Sequence, residues 1–292
     1  MSAMEAELYK ELSDNDRSAV RELVTECNHA DHTNYDCDLD GDFYYLIRND
    51  DKEESGVDSE LFAVLSGYLL GETIEGKQVL EVEAFTHPVM RRIGFFSTCF
   101  NSLKDDFRNY RIRFMIKSPL YGFDDSEYEH ISFESDSGDH DHLHDITSDT
   151  DETDSCESLP EQLPKAAVPF ISPDTYETLC AIDAVHQYDE LFMEKELIRP
   201  IADPGDSLCS RFGEVHLTGY NEDTLYLYGL LVYDKYLGQG HGRKLMEAVE
   251  NYKEKGPYKK ILLQVTSTNL IACRLYEHLG YKERERIIYF YI

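Results

Sequence analysis

Apolar positions in the first part of the chain follow a helical period and then a strand period. Between Asp14 and Asn28, Val20, Leu23 and Val24 recur at helical spacing, which predicts an amphipathic helix with Asp14 or Asp16 as its N-cap. Three strand-like runs follow at Phe43–Ile47, Leu61–Leu70 and Val79–Phe85. An Arg-Arg-Ile-Gly turn then leads into a helix over about Phe95–Phe107, and Arg111–Ile116 reads as the next strand. The same order returns late in the chain. Thr224–Tyr233 is a strand, Gly238–Gly242 a glycine turn, and Arg243–Tyr252 a helix with Leu245, Val249 and Tyr252 on one face, terminated at Gly256–Pro257. Ile261–Val265 is apolar enough for a strand buried on both faces, Leu270–Leu279 is a helix closed by Gly280, and Ile287–Ile292 is a final strand. Strand, glycine turn, helix, strand thus occurs twice, the mark of an internal duplication. The fold class expected is α/β with a mixed sheet.

Charge separates the two copies. Acidic residues outnumber basic ones 58 to 28 over 292 residues, a net charge of −30, and residues 124–161 hold 15 of the acids with no Lys or Arg. That tract has few apolar groups to offset chain entropy, so residues 131–165 are expected to be an extended acidic disordered linker. It divides an N-terminal domain, residues 1–130, from a C-terminal one, residues 166–292. An acidic surface repels phosphate backbones and anionic headgroups, which argues against nucleic acid and membrane partners. No apolar run approaches the roughly 20 residues of a membrane span, and the N-terminus lacks a signal-peptide layout; a cytoplasmic protein, monomeric or homodimeric, is expected. The seven cysteines are odd in number, irregularly spaced and without a CxxC pair, which favours free thiols over disulfides or structural zinc.

The glycine turn carries the candidate chemistry. Gly238, Gly240 and Gly242 lie at alternate positions between a strand and a helix, where bare backbone N–H groups and the helix N-terminus can hold a diphosphate. A GxGxxG register fails, because Arg243 or Leu245 stands where its last glycine belongs, and the Walker lysine and hydroxyl are absent. Leu237, Gly238, Gln239, Gly240, His241 and Gly242 instead resemble the acyl-CoA-binding motif of the GCN5-related N-acetyltransferases (GNATs), Gln/Arg-x-x-Gly-x-Gly/Ala, with Leu237 departing at the first place. Downstream, NLIACRLYEHLGY (Asn269 to Tyr281) is similar to that family's second cofactor motif, Asn-x-x-Ala-x-x-Leu-Tyr-x-x-x-Gly-Phe/Tyr, without a mismatch.

The resemblance implies two tandem acetyltransferase-like domains and acetyl-CoA as co-substrate, with no metal. Leu231 and Val232 should offer backbone groups to the pantetheine. Leu237, Gly238, Gln239, Gly240, His241, Gly242 and Arg243 should wrap the pyrophosphate, with the His241 side chain on the surface beside it. Asn269 and Ala272 should border the arm near the sulfur. Tyr276, seven residues after Asn269 and two turns along the same face, should protonate the leaving thiolate. A packed core tyrosine and a simple N-cap are the competing readings of Tyr276 and Asn269. The strand before the turn carries Tyr226 and Tyr228 where relatives often place a glutamate base, leaving Glu214, His216 or Asp223 open as the base. The expected activity is acetyl transfer to an amine of a small cationic molecule. Its rivals are a CoA-binding sensor or scaffold without turnover, transfer of a different acyl group, and transfer to a protein amine.

The first copy matches less well. Arg91, Arg92, Ile93, Gly94, Phe95 and Phe96 fill the six motif places, with a bulky ring in the last, and the chain after Ile116 looks too short for the Asn…Leu-Tyr helix. It therefore reads as a degenerate copy that walls the substrate cleft. Two other patterns carry little. Asp36–Ile47 begins like an EF-hand loop but has Ile47 where the bidentate glutamate belongs, so an acidic turn before a strand is the better reading. His140, His142 and His144 alternate with acids in a tract better read as solvated than as metal-binding.

Overall fold

A computed structural model describes residues 6–37, 39–49, 56, 59–118 and 171–292. The linker, the His140–His144 alternation and Cys156 lie outside the described residues. Chain order is β1 (Glu7–Tyr9), α1 (Asp14–Asp31), β2 (Phe43–Arg48), β3 (Leu61–Ile74), β4 (Lys77–Thr86), α2 (Phe95–Asp106) and β5 (Tyr110–Lys117). After the linker come α3 (Pro173–Ala181), β6 (Val185–Ile201), β7 (Ser207–Ser210), β8 (Gly213–Gly219), β9 (Thr224–Val232), α4 (His241–Glu250), β10 (Tyr258–Thr266), α5 (Leu270–His278) and β11 (Lys282–Tyr291).

Local chemistry explains most element ends. The cap of α1 is Ser13 rather than Asp14 or Asp16: its hydroxyl accepts from the Asp16 N–H at 3.2 Å while the Asp16 carboxylate reaches back to the Ser13 N–H at 3.3 Å, a reciprocal capping box. Phe43–Ile47, the latter part of the EF-hand-like run, lies in β2, so the acidic turn does precede a strand. Gly280, at φ +89°, ends α5 as expected of a left-handed C-terminal glycine.

The eleven strands among the described residues join one mixed sheet in the order β1-β2-β3-β4-β5-β11-β6-β10-β9-β8-β7. Among the described strands only β4–β5 and β9–β10 are parallel; both are the strand–helix–strand units read from the sequence. The centre is an exchange. β11, the last strand of the second half, pairs with β5 of the first half, while β6, which follows the first-half helix α3, pairs with β10 of the second. Alternating side chains carry this into the cores. Ile288 and Phe290 of β11 pack with Leu80, Phe100 and Leu103 in the first-half core, which also takes Leu179 of α3. Leu191 and Met193 of β6 pack with Met246, Val249 and Ile261 in the second-half core. Each such buried side chain is worth about 1.5–3 kcal/mol, so neither half has a complete core without the other's strand.

The halves differ on the opposite face. In the first half α1 covers it, burying Leu23 and Val24 against Tyr44, Leu46 and Val64. In the second half β6 passes to β7 through residues 202–206 alone, with no helix at the corresponding place.

Candidate active site

β9 is held to β10 only as far as Leu227, which faces Leu263. One residue further on, the register against β8 slips: His216 faces Tyr228 and Glu214 faces Leu231, so Gly229 and Leu230 of β9 oppose Val215 alone of β8. Gly229 sits in this bulge at φ +58°, and a Cβ there would stand 3.0 Å from the His216 Cδ2. A bulge bends its strand, so the end of β9 turns away from β10 and opens a V-shaped gap. Leu231 and Val232, the residues expected to meet the pantetheine, line this free edge, with Leu231 49% exposed. Gly229→Val forces a branched residue into left-handed backbone and onto an imidazole. A cost of about 1–3 kcal/mol is expected, read as a lower Tm, together with weaker CoA binding by calorimetry.

The loop after β9 leads into α4. Gly238 and Gly240 both adopt left-handed φ, +73° and +76°, and a Cβ on either would meet nothing within 4 Å. The Gln239 side chain ties the loop by donating to the Lys235 carbonyl at 3.0 Å. Gly240 is the N-cap of α4 and offers no side chain, and the Lys244 N–H bonds back to its carbonyl at 3.3 Å. The N–H groups of His241, Gly242 and Arg243 therefore lie in the open first turn. Gly242 is small for a different reason: a Cβ would press on Leu275 of α5 at 3.3 Å and Val232 of β9 at 3.7 Å, so its absence lets three elements converge. His241 corrects the sequence expectation. Its ring is buried rather than on the surface, stacked on Phe212 at 3.8 Å between centroids, so only its backbone is placed to meet a phosphate.

α5 brings the second motif to the same gap. The Asn269 side chain accepts from the Ala272 N–H at 3.2 Å, so it caps the helix. Tyr276 is 6% exposed and packs edge-on to Tyr281 at 5.9 Å, yet its hydroxyl has no hydrogen-bond partner among the described residues. Burial pushes that phenol up to about 12.

On the sheet face away from α4, a polar row crosses five strands. His216 stacks on Tyr228 (5.4 Å) and Tyr228 on Tyr226 (6.1 Å). The Tyr226 hydroxyl donates to Gln264 at 3.1 Å, Gln264 donates to Glu190, and the Tyr289 hydroxyl donates to Glu190 at 3.3 Å. Burial, and then the Glu190 charge, hold the Tyr226 phenol above its ordinary range. Gln264, Glu190 and Tyr289 come from β10, β6 and β11, and no local motif marks them. Of the three base candidates, Glu214 and His216 lie 3.8 Å apart opposite the splayed end of β9. Asp223 lies before the start of β9, where its carbonyl receives the Lys259 and Lys260 N–H groups, at the wrong end of the strand to serve.

The first half repeats this geometry with different residues. β4 leaves β5 after Val82, Arg92 and Gly94 take left-handed φ (+65° and +103°) like Gly238 and Gly240, and Phe95 stacks on Phe62 as His241 does on Phe212. The closing helix, which the chain after Ile116 looked too short to hold, is present: it is α3, reached after the linker. Ser172 caps it through the Thr175 N–H as Asn269 caps α5, and Asp183 takes the left-handed place of Gly280 at φ +55°. Leu179 stands where the second half has Tyr276, so the hydroxyl is missing. Between these elements lies a cleft of about 350 Å³. The first half thus keeps a cleft, while the glycine loop and Tyr276 belong to the second half.

Six cysteines, at 27, 37, 99, 180, 209 and 273, are free thiols. No cluster of three or more His, Cys, Asp or Glu side chains among the described residues is placed to hold a metal ion, and no helix among them is long and apolar enough to cross a membrane.

Residues 208–281 match the profile of the acetyltransferase (GNAT) family. Among solved structures, a GCN5-related N-acetyltransferase from Sphaerobacter thermophilus is similar with a TM-score of 0.57 at 11% identity, over 98% of this chain and 95% of that one. A tandem GNAT protein from the clavulanic acid biosynthesis pathway, solved without acetyl-CoA, gives 0.52 at 10% identity, over 99% and 98%. A GCN5-related glucosamine N-acetyltransferase region of a fungal multi-domain β-N-acetylglucosaminidase gives 0.54 at 8% identity, over 100% of this chain and 38% of that one. At such identities the likeness is one of fold. No curated protein sequence matches significantly.

Proposed function

We propose that this chain, a tandem GNAT fold whose residues 208–281 form a GNAT-family acetyltransferase domain, is an acetyl-CoA-dependent N-acetyltransferase that works through its second half on a small cationic amine. One observation carries the reading: the Gly229 bulge frees the end of β9 from β10, and there the open first turn of α4 behind Gly238 and Gly240 comes together with Val232 of β9 and Leu275 of α5, the residue before Tyr276. Acetyl-CoA would supply an activated acyl thioester there. The free edge at Leu231 and Val232 binds amide groups of the pantetheine, and the backbone from Leu237 to Arg243 binds the diphosphate without needing many cationic side chains. Asn269 and Ala272 border the arm beside the sulfur. Tyr276 holds the proton that the departing thiolate takes, which its high pKa keeps in place at neutral pH. Glu214 and His216 are the candidate proton acceptors for the incoming amine. The Tyr226–Tyr228 rings and the Glu190 carboxylate on the opposite face suit a cation.

A free-thiol assay on the full chain over a panel of amines tests this. Thiol release that requires an amine, with KM for a polyamine rising with salt, is the expected result. Deleting residues 134–163 should leave kcat/KM nearly unchanged. Tight CoA binding with no turnover on any amine would instead make the protein a sensor or scaffold.

A further inference from the structure

The first-half cleft keeps the shape of the cofactor groove but not its electrostatics. Its two loop arginines are already spent. Arg91 makes a bidentate pair with Asp31, both contacts at 2.7 Å, and Arg92 binds Asp174 at 2.8 Å and Glu177 at 3.0 Å. Three carboxylates thus surround two guanidinium groups, so a diphosphate would enter a net negative environment. Phe96 fills the place of Gly242, where even a Cβ would crowd the second half. With Leu179 in place of Tyr276, the second half's candidate proton donor has no counterpart at that position.

What the cleft offers instead is Glu83. It follows the last β4–β5 pair, in the strand position Tyr228 holds in the second half, and lines the cleft together with Phe85, Phe96, Met115 and Leu179. Its carboxylate has no hydrogen-bond or ion-pair partner among the described residues. The groups that bear on it are Glu81 on its own strand, Lys117 of β5, and Asp36 and Asp40 of the loop after α1. Tyr35 and Tyr68 feel its charge in turn. Lys117 is turned to the Asn34 carbonyl at 3.3 Å and to Asp36 at 3.9 Å. A carboxylate largely withdrawn from water without a hydrogen-bond donor costs stability, and binding of a cation would offset that cost.

We propose that the first-half cleft is a second ligand site, distinct from the transfer site, that takes a small primary amine with an apolar body, its ammonium on the Glu83 carboxylate and its body against Phe85, Phe96 and Met115. The site is independent of whether the second half transfers acetyl groups. Burial, and then Glu81, push Glu83 up to about 7, so the carboxylate that receives the ammonium forms as pH rises through neutrality.

Calorimetry of the full chain with 3-phenylpropylamine, 3-phenylpropanol and 3-phenylpropionate, without CoA, tests the site. The amine should bind at least tenfold more tightly than the alcohol at pH 8, the carboxylate more weakly still, and Glu83→Gln should remove the preference. From pH 6 to 8 the wild-type affinity should rise about tenfold, following the ionised fraction of a carboxyl titrating near 7, and Glu83→Gln should flatten that rise. Folding disfavours the ionised form of a carboxyl whose pKa is raised. The penalty is therefore absent below the unfolded value and full above the folded one, so Glu83→Gln should raise Tm at pH 8 and leave it unchanged at pH 4. That second readout shows whether the variant is folded. Equal binding of amine and alcohol, or unaltered amine binding by folded Glu83→Gln, would overturn the proposal. So would two CoA molecules bound per chain.

Discussion

Tyr276→Phe is expected to lower kcat by about 10²–10³ while leaving acetyl-CoA affinity within a few-fold, the signature of losing a proton donor rather than a binding contact. The packing supports a clean result. Phenylalanine keeps the edge-on contact with Tyr281, and the hydroxyl it removes bonds no other described residue, so no partner is left stranded. With the phenol raised to about 12, the wild-type enzyme should show no alkaline loss of kcat from this group below about pH 10, because the acid stays protonated throughout. Steady-state kinetics with thiol detection checks both. An unchanged kcat would return Tyr276 to the role of a core filler.

Gly240→Trp should weaken CoA binding by roughly 10²-fold or more. The diphosphate loses at least two charge-assisted hydrogen bonds of about 1.5–3 kcal/mol each when an indole covers the first turn of α4. Folding should survive. The added Cβ meets no atom within 4 Å, and the left-handed φ of +76° costs a non-glycine residue about 1–2 kcal/mol, a fall of a few degrees in Tm. Calorimetry beside a thermal melt separates the two effects. Normal CoA binding by a folded Gly240→Trp protein would place the cofactor elsewhere.

Both predictions rest on residues that the sequence exposes, because their chemistry is local. A glycine required for left-handed backbone, an Asn that caps its own helix and a Tyr two turns along it are all written within thirteen residues or fewer. The repeated strand–turn–helix–strand order is equally legible, since its apolar periods need no knowledge of distant partners. β6 and β11 escaped in part or whole for the opposite reason. Their charges look wrong for strands until cross-strand pairing supplies Lys260 and Arg284 for Glu194, and Arg286 for Asp189. α3 is not legible locally, because the linker separates it from the pattern it completes.

The sequence by itself therefore determined the family likeness, the glycine loop, and the identities of Asn269 and Tyr276. Only the tertiary structure decided the exchange of β6 and β11, the burial of His241 under Phe212, the row from Tyr226 to Glu190, and the isolation of Glu83 beside a cleft whose arginines are neutralised. The first set depends on backbone conformation and helical spacing within short windows. The second depends on which strands neighbour one another and on charge balance among residues far apart in the chain, and these are set only when one sheet joins both halves.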